Sequence, residues 1–139
     1  MFTERRILVV EDEVLVRALL DVVLNSSRYL PVFAENAAQA CLAIDGAELT
    51  PYAALVVDID LRGPKDGFEV ADYARAALPD LPVIYTTGGS RHLIPERGVP
   101  GGVLVAKPYQ PEELITALDA LTAPRSARAD DSETSAAEA

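Results

Sequence analysis

The sequence has one cysteine, one histidine and no long apolar run. The lone Cys41 excludes an intrachain disulfide, and with a single histidine it cannot form a thiolate or imidazole metal site. No apolar stretch reaches the roughly 18 residues that cross a bilayer, and the N-terminal MFTERRILVV is too short and too soon charged for a secretory signal. We therefore expect a cytoplasmic protein in a reducing environment, without a membrane partner.

Basic residues are also scarce. The 22 acidic and 12 basic residues give a net charge of −10 at pH 7, and Arg5-Arg6 is the one adjacent basic pair. Contact with nucleic-acid phosphates needs clustered Lys and Arg, so we expect no nucleic-acid partner. The composition favours another protein, a small anion or a cation as the partner.

Five short apolar runs recur along the chain and alternate with helix-like stretches. The runs are rich in Val, Ile and Leu and lack polar alternation, which is typical of parallel strands covered on both faces. The predicted strands are 7–10, 31–34, 54–57, 83–85 and 103–105, and the predicted helices are 13–25, 37–46, 67–78 and 111–121. The alternation predicts an α/β fold with right-handed crossovers. Pro95, Pro100 and three glycines leave at most one helical turn near 90–96.

The C-terminal segment differs from the rest of the chain. Beyond Leu121 the sequence reads TAPRSARADDSETSAAEA, with no apolar residue larger than alanine. Such a segment has little apolar surface to bury. We therefore predict a folded domain over 1–121 and a disordered tail over 122–139, with no output domain.

The first predicted helix is apolar around much of its circumference. A polar residue at every fourth position from Glu13 to Asn25 forms a ridge with alternating charges, so the opposite face is predicted to pack on the sheet. The residues predicted to face the sheet are Leu15, Val16, Leu19, Val22 and Val23. Val14, Leu20 and Leu24 fall on or beside the ridge. They are either half-buried rim residues or a docking patch for a partner helix.

Polar residues whose side chains are able to react or to bind a ligand follow four of the predicted strands. The residues are Glu11 and Asp12 after the first strand, Asp58 and Asp60 after the third, Thr87 after the fourth and Lys107 after the fifth. In a parallel sheet, sites form beyond the carboxyl ends of the strands. Clustered carboxylates repel one another without a cation, and anionic oxygen ligands suit Mg²⁺. A carboxylate, a divalent cation, a lysine and a hydroxyl together suit phosphoryl transfer onto an aspartate.

Five segments of the chain resemble the receiver domain of response regulators in bacterial two-component signalling: ILVVEDE, LVVDIDL, DGFEVA, PVIYTTG and VLVAKPY. The resemblance covers about residues 5–121. It implies a flavodoxin-like, doubly wound sheet of five parallel strands in the order 2-1-3-4-5, here with a shortened or irregular fourth helix. It also implies a phosphorelay protein of the stand-alone type that turns over no separate substrate. Such a receiver catalyses its own phosphorylation, to 4-aspartylphosphate, and its own dephosphorylation.

The resemblance assigns roles to the acidic residues at the strand ends. Asp58 would accept the phosphoryl group and would also be a ligand of the metal. Asp12 would bind Mg²⁺ directly, and Glu11 would bind it through water. Asp60 would offer its backbone carbonyl to the metal and place its side chain beside the phosphoryl group.

The resemblance also covers the ends of the fourth and fifth strands. Thr87 would be the switch hydroxyl, and Lys107 would pair with the phosphate beside a cis Lys107–Pro108 bond. Leu104 stands where many receivers carry an aromatic switch residue, so we expect no ring rotation there. The helix after Thr87 is interrupted, so the surface that many receivers use for dimerisation or for contact with an output partner is less complete here.

The loop LRGPKDG departs from the family pattern. It is one residue longer than the usual loop after the acceptor and lacks the Met/Leu-Pro step of that loop. Its two basic residues, Arg62 and Lys65, leave two alternatives: one of them reaches the site, or both are solvated, and we expect both to be solvated.

The partners implied by the resemblance are proteins. A sensor histidine kinase or a histidine phosphotransferase would dock on the first helix through Val14, Leu20 and Leu24. A target that binds only the phosphorylated form would be a second partner. The sequence leaves open whether the protein is a phosphate shuttle or sink, or an allosteric partner of that target.

Two other classes share parts of the pattern. The D-x-D at the end of a strand, followed by Thr and Lys, also resembles haloacid dehalogenase-like phosphatases, with Asp58 as nucleophile and Asp60 as general acid. That family places its additional acidic pair after the lysine, whereas here the pair comes first, and the chain leaves little room for a cap. A flavodoxin-like FMN carrier is disfavoured because two carboxylates after the first strand repel a cofactor phosphate. We therefore predict a signalling receiver rather than an enzyme.

Overall fold

The computed structural model of the protein describes residues 5–47 and 51–122. Over these residues, five strands alternate with five α-helices. The strands are β1 (Arg5–Val10), β2 (Tyr29–Ala34), β3 (Ala54–Asp58), β4 (Val83–Thr87) and β5 (Val103–Ala106). The helices are α1 (Val14–Asn25), α2 (Ala37–Asp45), α3 (Gly67–Ala77), α4 (Ile94–Arg97) and α5 (Pro111–Leu121), with a 3-10 turn at Arg91–Leu93 before α4. Every strand and helix predicted from the sequence is present.

The five strands form one parallel sheet in the order β2-β1-β3-β4-β5, which confirms the predicted topology. The β1 strand lies between β2 and β3, and Val10 is paired with Val57. Further along the sheet, Asp58 is paired with Thr86. Because the strands are parallel and in this register, the residues that follow β1, β3, β4 and β5 emerge along the same edge.

Two apolar layers cover the sheet, one on each face. Alternate residues of each strand point to opposite faces, as Leu8 and Val9 show. The layer beside α2 and α3 contains Leu8, Val57, Tyr85 and Phe68, together with small alanines of both helices. The layer beside α1 and α5 is built from Ile7, Val9, Leu20, Leu24, Leu114 and Leu118. Burial on both faces explains why the strands read as continuous apolar runs.

The fourth helix is short, as predicted. An aromatic residue that was not among the predicted functional residues, Tyr85, anchors the chain around it. Tyr85 of β4 is fully buried, and its hydroxyl accepts a hydrogen bond of 2.9 Å from the backbone N–H of Val99. Its ring lies 5.3 Å from that of Phe68. Arg97 at the end of α4 stacks over Phe68 and binds the carboxylate of Asp66 at 2.9 Å. The region after β4 is therefore anchored although it contains little helix.

The predicted orientation of α1 was wrong. Leu20 and Leu24 are 1% and 0% exposed, so they belong to the core and not to a docking patch. Leu15 and Val22, which were expected to face the sheet, are 80% and 68% exposed. Leu19 is likewise exposed, whereas the remaining predicted core residues Val16 and Val23 are half-buried.

The error in α1 has a physical cause in Arg17. We placed Arg17 on an outward polar ridge, but its guanidinium donates to the backbone carbonyl of Glu11 at 2.9 Å and lies 3.7 Å from Glu35. The arginine therefore points toward the end of β1 and not into solvent. Compared with the predicted orientation, the helix is rotated about its axis, and Leu20 and Leu24 pack against the sheet. A helix with apolar residues around most of its circumference has no single orientation fixed by periodicity.

The C-terminal prediction extends past the part of the chain that the structure describes. Thr122 is buried and donates its hydroxyl to the carbonyl of Leu118 at 2.7 Å, so this first residue of the predicted tail is ordered. The rest of the predicted tail lies outside the described residues, and the domain boundary stays a prediction. Within 5–47 and 51–122, no helix has the length and apolarity needed to span a bilayer.

The orientation of α1 predicts a difference between two leucines of the same helix. Leu20→Ala should lower the free energy of unfolding by about 2–5 kcal/mol, because it leaves a cavity in the core. Leu15→Ala, at an exposed position, should change it by no more than about 0.5 kcal/mol. Urea denaturation of both variants tests this, and equal losses would contradict the observed orientation.

Candidate functional site

The six residues singled out from the sequence lie at one edge of the sheet. The backbone N–H of Ile59 donates to Thr86 at 2.9 Å and that of Lys107 donates to Thr87 at 2.9 Å, so hydrogen bonds join the ends of β3, β4 and β5. A cavity of about 460 Å³ opens there, lined by Asp12, Glu13, Asp58, Asp60, Arg62, Gly88 and Lys107. Of the predicted residues, Glu11 lies beneath the cavity in contact with Lys107, and Thr87 contacts Asp60.

Lys107 forms the centre of the site. Its ammonium nitrogen lies 3.1 Å from Asp58 Oδ2 and 3.2 Å from Glu11 Oε1. The side chains of Asp58 and Glu11 are only 4% and 3% exposed, so both carboxylates are buried. The other oxygen of Asp58 accepts the backbone N–H of Asp60 at 2.8 Å. Donors thus hold both oxygens of the Asp58 carboxylate in a defined orientation.

The pKa values of the site reflect this crowding. Burial raises the pKa of Glu11, the charge of Asp58 adds to the rise, and Lys107 only partly opposes it. For Lys107, burial alone would lower the pKa, but the attraction of Asp58 and Glu11 outweighs burial and raises it. Lys107 is therefore charged at neutral pH and neutralises carboxylates that cannot be well solvated.

The acidic residues after β1 form a donor set that fits a small divalent cation. Glu11, Asp12 and Glu13 each offer one carboxylate oxygen, and these oxygens lie within 4.8 Å of one another. All three are hard, anionic oxygen ligands, the type that Mg²⁺ prefers. Glu13 was not among the predicted ligands, although the run of three acidic residues in EDE was a signal for it. Ligation by the backbone carbonyl of Asp60 stays a prediction.

Asp60 binds two hydroxyl groups at once. Thr87 donates its hydroxyl to Asp60 Oδ2, and Ser90 donates to Oδ1, both at 2.6 Å. The Thr87 oxygen also accepts the backbone N–H groups of Gly89 at 3.2 Å and Ser90 at 2.9 Å. Burial alone would raise the pKa of Asp60, but the hydrogen bonds from Ser90 and Thr87 outweigh it and lower the pKa. Ser90 was missed because nothing in GGS marks a serine as part of a site.

Arg62 does not stand free in solvent as expected. Its side chain is 78% exposed, but its backbone N–H and its Nε both donate to Asp12 Oδ2, at 2.9 and 3.1 Å. Burial alone would raise the pKa of Asp12, but the hydrogen bonds and charge of Arg62 lower it. Lys65 is exposed, in agreement with the expectation. The loop sequence alone did not indicate which of the two basic residues points back to the site.

The start of α3 packs against the backbone of Asp58. Asp66 accepts the backbone N–H of Glu69 at 3.0 Å, and Glu69 accepts that of Asp66 at 3.1 Å, which forms a capping box. A Cβ at Gly67 would come within 2.2 Å of the carbonyl oxygen of Asp58. Glycine is therefore required for α3 to begin this close to the buried aspartate. The Lys107–Pro108 bond on the other side of the site is cis, which confirms that prediction.

The structural class of the protein is a doubly wound α/β sheet with buried carboxylates at the C-terminal ends of its strands. A sequence model described as the response regulator receiver domain matches residues 7–119. Transcriptional regulatory protein TcrA of Mycobacterium tuberculosis is 36% identical over 121 residues, which is 84% of this chain and 46% of that protein. The chain thus spans about half the length of the curated relatives it matches.

Solved structures agree with this match. A response regulator receiver protein from Sinorhizobium medicae has a TM-score of 0.81 at 26% identity, over 88% of this chain and 97% of the other. The receiver domain of sensor histidine kinase PA1611 from Pseudomonas aeruginosa, described with magnesium coordinated in its active-site cleft, has a TM-score of 0.73 at 25% identity, over 88% of this chain and 100% of the other.

The chain belongs to the response regulator receiver domain family, as the sequence resemblance implied. It is a receiver of two-component signalling, a family of signalling proteins rather than of enzymes that turn over a substrate. The haloacid dehalogenase-like alternative has no support among these comparisons.

The contacts of Asp60 predict the effect of removing Ser90. Ser90→Ala should raise the pKa of Asp60 toward its ordinary value of 3.8, because one of the two hydroxyl donors is lost. A lowered carboxyl pKa gives stability that is present above the unfolded value and lost as the pH falls through the folded value. The variant should therefore be less stable than the wild type at neutral pH, and the two should converge in acid.

Carbon NMR of the Asp60 carboxyl over a pH series, with chemical denaturation at each end, measures both effects. Ser26→Ala is the control, since its hydroxyl bonds the carbonyl of Val22 and no carboxylate. An Asp60 titration that is the same in Ser90→Ala and in the wild type would contradict the assignment of these hydrogen bonds.

Proposed function

We propose that the protein accepts a phosphoryl group on Asp58 from a phosphohistidine protein, in a Mg²⁺-dependent reaction. The observation that carries the proposal is the ammonium of Lys107, 3.1 Å from the buried Asp58 at the floor of an open acidic cavity. A buried carboxylate at a strand end is costly unless it is paired, and here the paired group also faces a space large enough for a phosphoryl group. The rest of the site can be assigned around this pair.

In the proposed transfer, an Asp58 oxygen attacks phosphorus while the N–P bond of the phosphohistidine breaks. The bonding electron pair leaves with the imidazole nitrogen, and a mixed anhydride forms on the carboxylate. The ammonium of Lys107, which pairs with the free Asp58 carboxylate, then pairs with the phosphoryl oxygens. It reaches these oxygens because it already contacts Asp58. Once the Thr87 hydroxyl has left Asp60, it donates a hydrogen bond to a phosphoryl oxygen.

Glu11, Asp12 and Glu13 are the residues that would hold the cation, with Asp12 at the cavity wall. A cation held there would neutralise charge that develops on the phosphoryl oxygens. The chain supplies the orientation. The N–H of Asp60 holds one oxygen of Asp58, and the N–H of Glu13 donates to Glu11 at 3.2 Å.

The phosphohistidine protein is proposed to dock on the exposed apolar face of α1. This face consists of Val14, Leu15, Leu19 and Val22, which are 52–80% exposed. A groove of about 510 Å³ begins at Leu19 and is lined also by Val16, Pro108 and Tyr109. Gly88 and Lys107 line both this groove and the acidic cavity, so a partner bound to α1 would reach Asp58 directly.

The proposed output is a protein contact that depends on phospho-Asp58, and the proposed setting is the cytoplasm. Leu104 is half-buried and aliphatic, so a rotating aromatic ring at that position is not available. The 88–90 segment is the part of the surface bonded directly to Thr87. We therefore place the phosphorylation-dependent surface at this segment.

The acceptor is tested with Mg²⁺ and acetyl phosphate, followed by intact mass spectrometry. The wild type should gain one phosphoryl group, Asp58→Asn should gain none, and Asp60→Asn should still be modified, because Asp60 is bonded to hydroxyl groups and not to Lys107. Modification of Asp58→Asn, or loss in Asp60→Asn alone, would refute the assignment. Steady hydrolysis of unrelated phosphate esters would contradict the signalling proposal.

The docking face is tested by phosphotransfer from a purified phosphohistidine protein that modifies the wild type. Leu15→Asp should slow this transfer by about tenfold, equivalent to about 1.4 kcal/mol, without changing modification by acetyl phosphate. Leu42→Asp is the matched control, because Leu42 is 72% exposed on α2, away from the groove. Equal rates in the Leu15 variant and the control would exclude α1 as the docking face.

A further inference from the structure

Arg62 is bonded to the acidic residue that is proposed to hold the cation. One oxygen of Asp12 accepts two hydrogen bonds from Arg62, from the backbone N–H at 2.9 Å and from Nε at 3.1 Å. The Asp12 side chain is 13% exposed, so water reaches this carboxylate only in part. A positive charge of the chain itself is therefore in contact with the carboxylate at the cavity wall.

The loop after β3 directs Arg62 to that position. Leu61 is buried in the core, and Gly63 has a φ of +112°, a backbone conformation that side chains with a Cβ rarely adopt. The chain thus turns sharply one residue after Arg62, while the residue before it is anchored. The longer loop LRGPKDG places a guanidinium over Asp12 and leaves Lys65 in solvent.

The two basic side chains at the cavity pair with different carboxylates. Lys107 pairs with Glu11 and Asp58. Among the residues that line the cavity, Arg62 is the other cationic one, and its charge is directed to Asp12. The lowered pKa of Asp12 agrees with this, since burial alone would have raised it.

We propose that the Arg62 side chain competes with Mg²⁺ for Asp12 and so lowers the affinity of the unphosphorylated protein for the metal. This inference rests on the proposed function, in which Asp12 is a metal ligand. In the metal-free protein, Arg62 neutralises Asp12. Metal binding requires the guanidinium to move out into solvent.

Competition follows from the charges involved. A guanidinium and a divalent cation on one carboxylate repel each other at a distance of a few ångströms. The Arg62 side chain is 78% exposed, so it leaves into water easily, whereas Lys107 is 22% exposed and held by two carboxylates. Exposed ion pairs are weak, so the expected effect on metal affinity is a small factor. Removing the side chain leaves the backbone N–H of Arg62 on Asp12, and a substitution therefore isolates the guanidinium.

Isothermal titration calorimetry with MgCl₂ at constant ionic strength, without a phosphodonor, measures the effect. Arg62→Gln should bind Mg²⁺ about two- to fivefold more tightly than the wild type, equivalent to about 0.4–1 kcal/mol. Lys65→Gln is the matched control: it removes the same charge from the same loop, at a residue without a hydrogen bond to Asp12 among the described contacts. It should bind Mg²⁺ like the wild type, because screening weakens the effect of a distant exposed charge.

Thermal unfolding gives a second measurement that does not depend on the heat of binding. Metal-free Arg62→Gln should melt below the wild type, because its Asp12 has lost the contact with the guanidinium. At saturating Mg²⁺ the two should melt together, since in both proteins the metal has replaced the guanidinium. A deficit that persists at saturating Mg²⁺ would mean that Arg62 is only structural and would overturn the inference.

The calorimetric outcomes separate this inference from the proposed metal site. Weaker or unchanged binding in Arg62→Gln, or equal tightening in Lys65→Gln, overturns the competition. Asp12→Asn tests the site itself and should bind Mg²⁺ far more weakly than the wild type. If Asp12→Asn binds like the wild type, the proposed metal site fails, and the competition fails with it.

Discussion

The structure depends on one ammonium group that neutralises two buried carboxylates. Glu11 directly follows β1, and Asp58 ends the adjacent strand β3. Both carboxylates are nearly inaccessible to water, and Lys107 lies within 3.2 Å of each. Without this cation, two like charges would repel each other in a medium that solvates them poorly. Lys107 follows β5 and reaches across the end of β4 to the residues at the ends of β3 and β1. Stability and reactivity thus rest on the same contact.

Much of the fold and part of the site could be predicted from the sequence because they depend on local chemistry. Apolar runs without alternation identify strands buried on both faces, and prolines and glycines after Thr87 leave room for only a short helix. Parallel strands bring Asp58, Glu11 and Lys107 to one edge once the strand order is known. The order itself came from a family resemblance, since strand spacing alone does not distinguish the doubly wound orders.

Other features could not be predicted, because they depend on contacts between distant segments. Arg17 of α1 binds the carbonyl of Glu11 instead of water, so it does not belong to an outward polar ridge. Arg62 reaches Asp12, 50 residues earlier in the chain, because Gly63 turns the loop. Ser90 enters the site only because the chain after β4 folds back to Asp60. In each case a polar side chain found a partner that periodicity and composition do not reveal.

In the proposed function, the hydroxyl of Thr87 would connect a phosphoryl group on Asp58 to the shape of the surface. Its oxygen accepts the N–H groups of Gly89 and Ser90 while its proton is held by Asp60. A rotation of the Thr87 side chain that carries this oxygen toward a group on Asp58 would break these three hydrogen bonds together. Two backbone amides at the surface, those of Gly89 and Ser90, would then need new partners. In the proposed function, the threonine would thus couple the position of a single oxygen atom to the conformation of the exposed main chain at Gly89 and Ser90, which a partner protein would recognise.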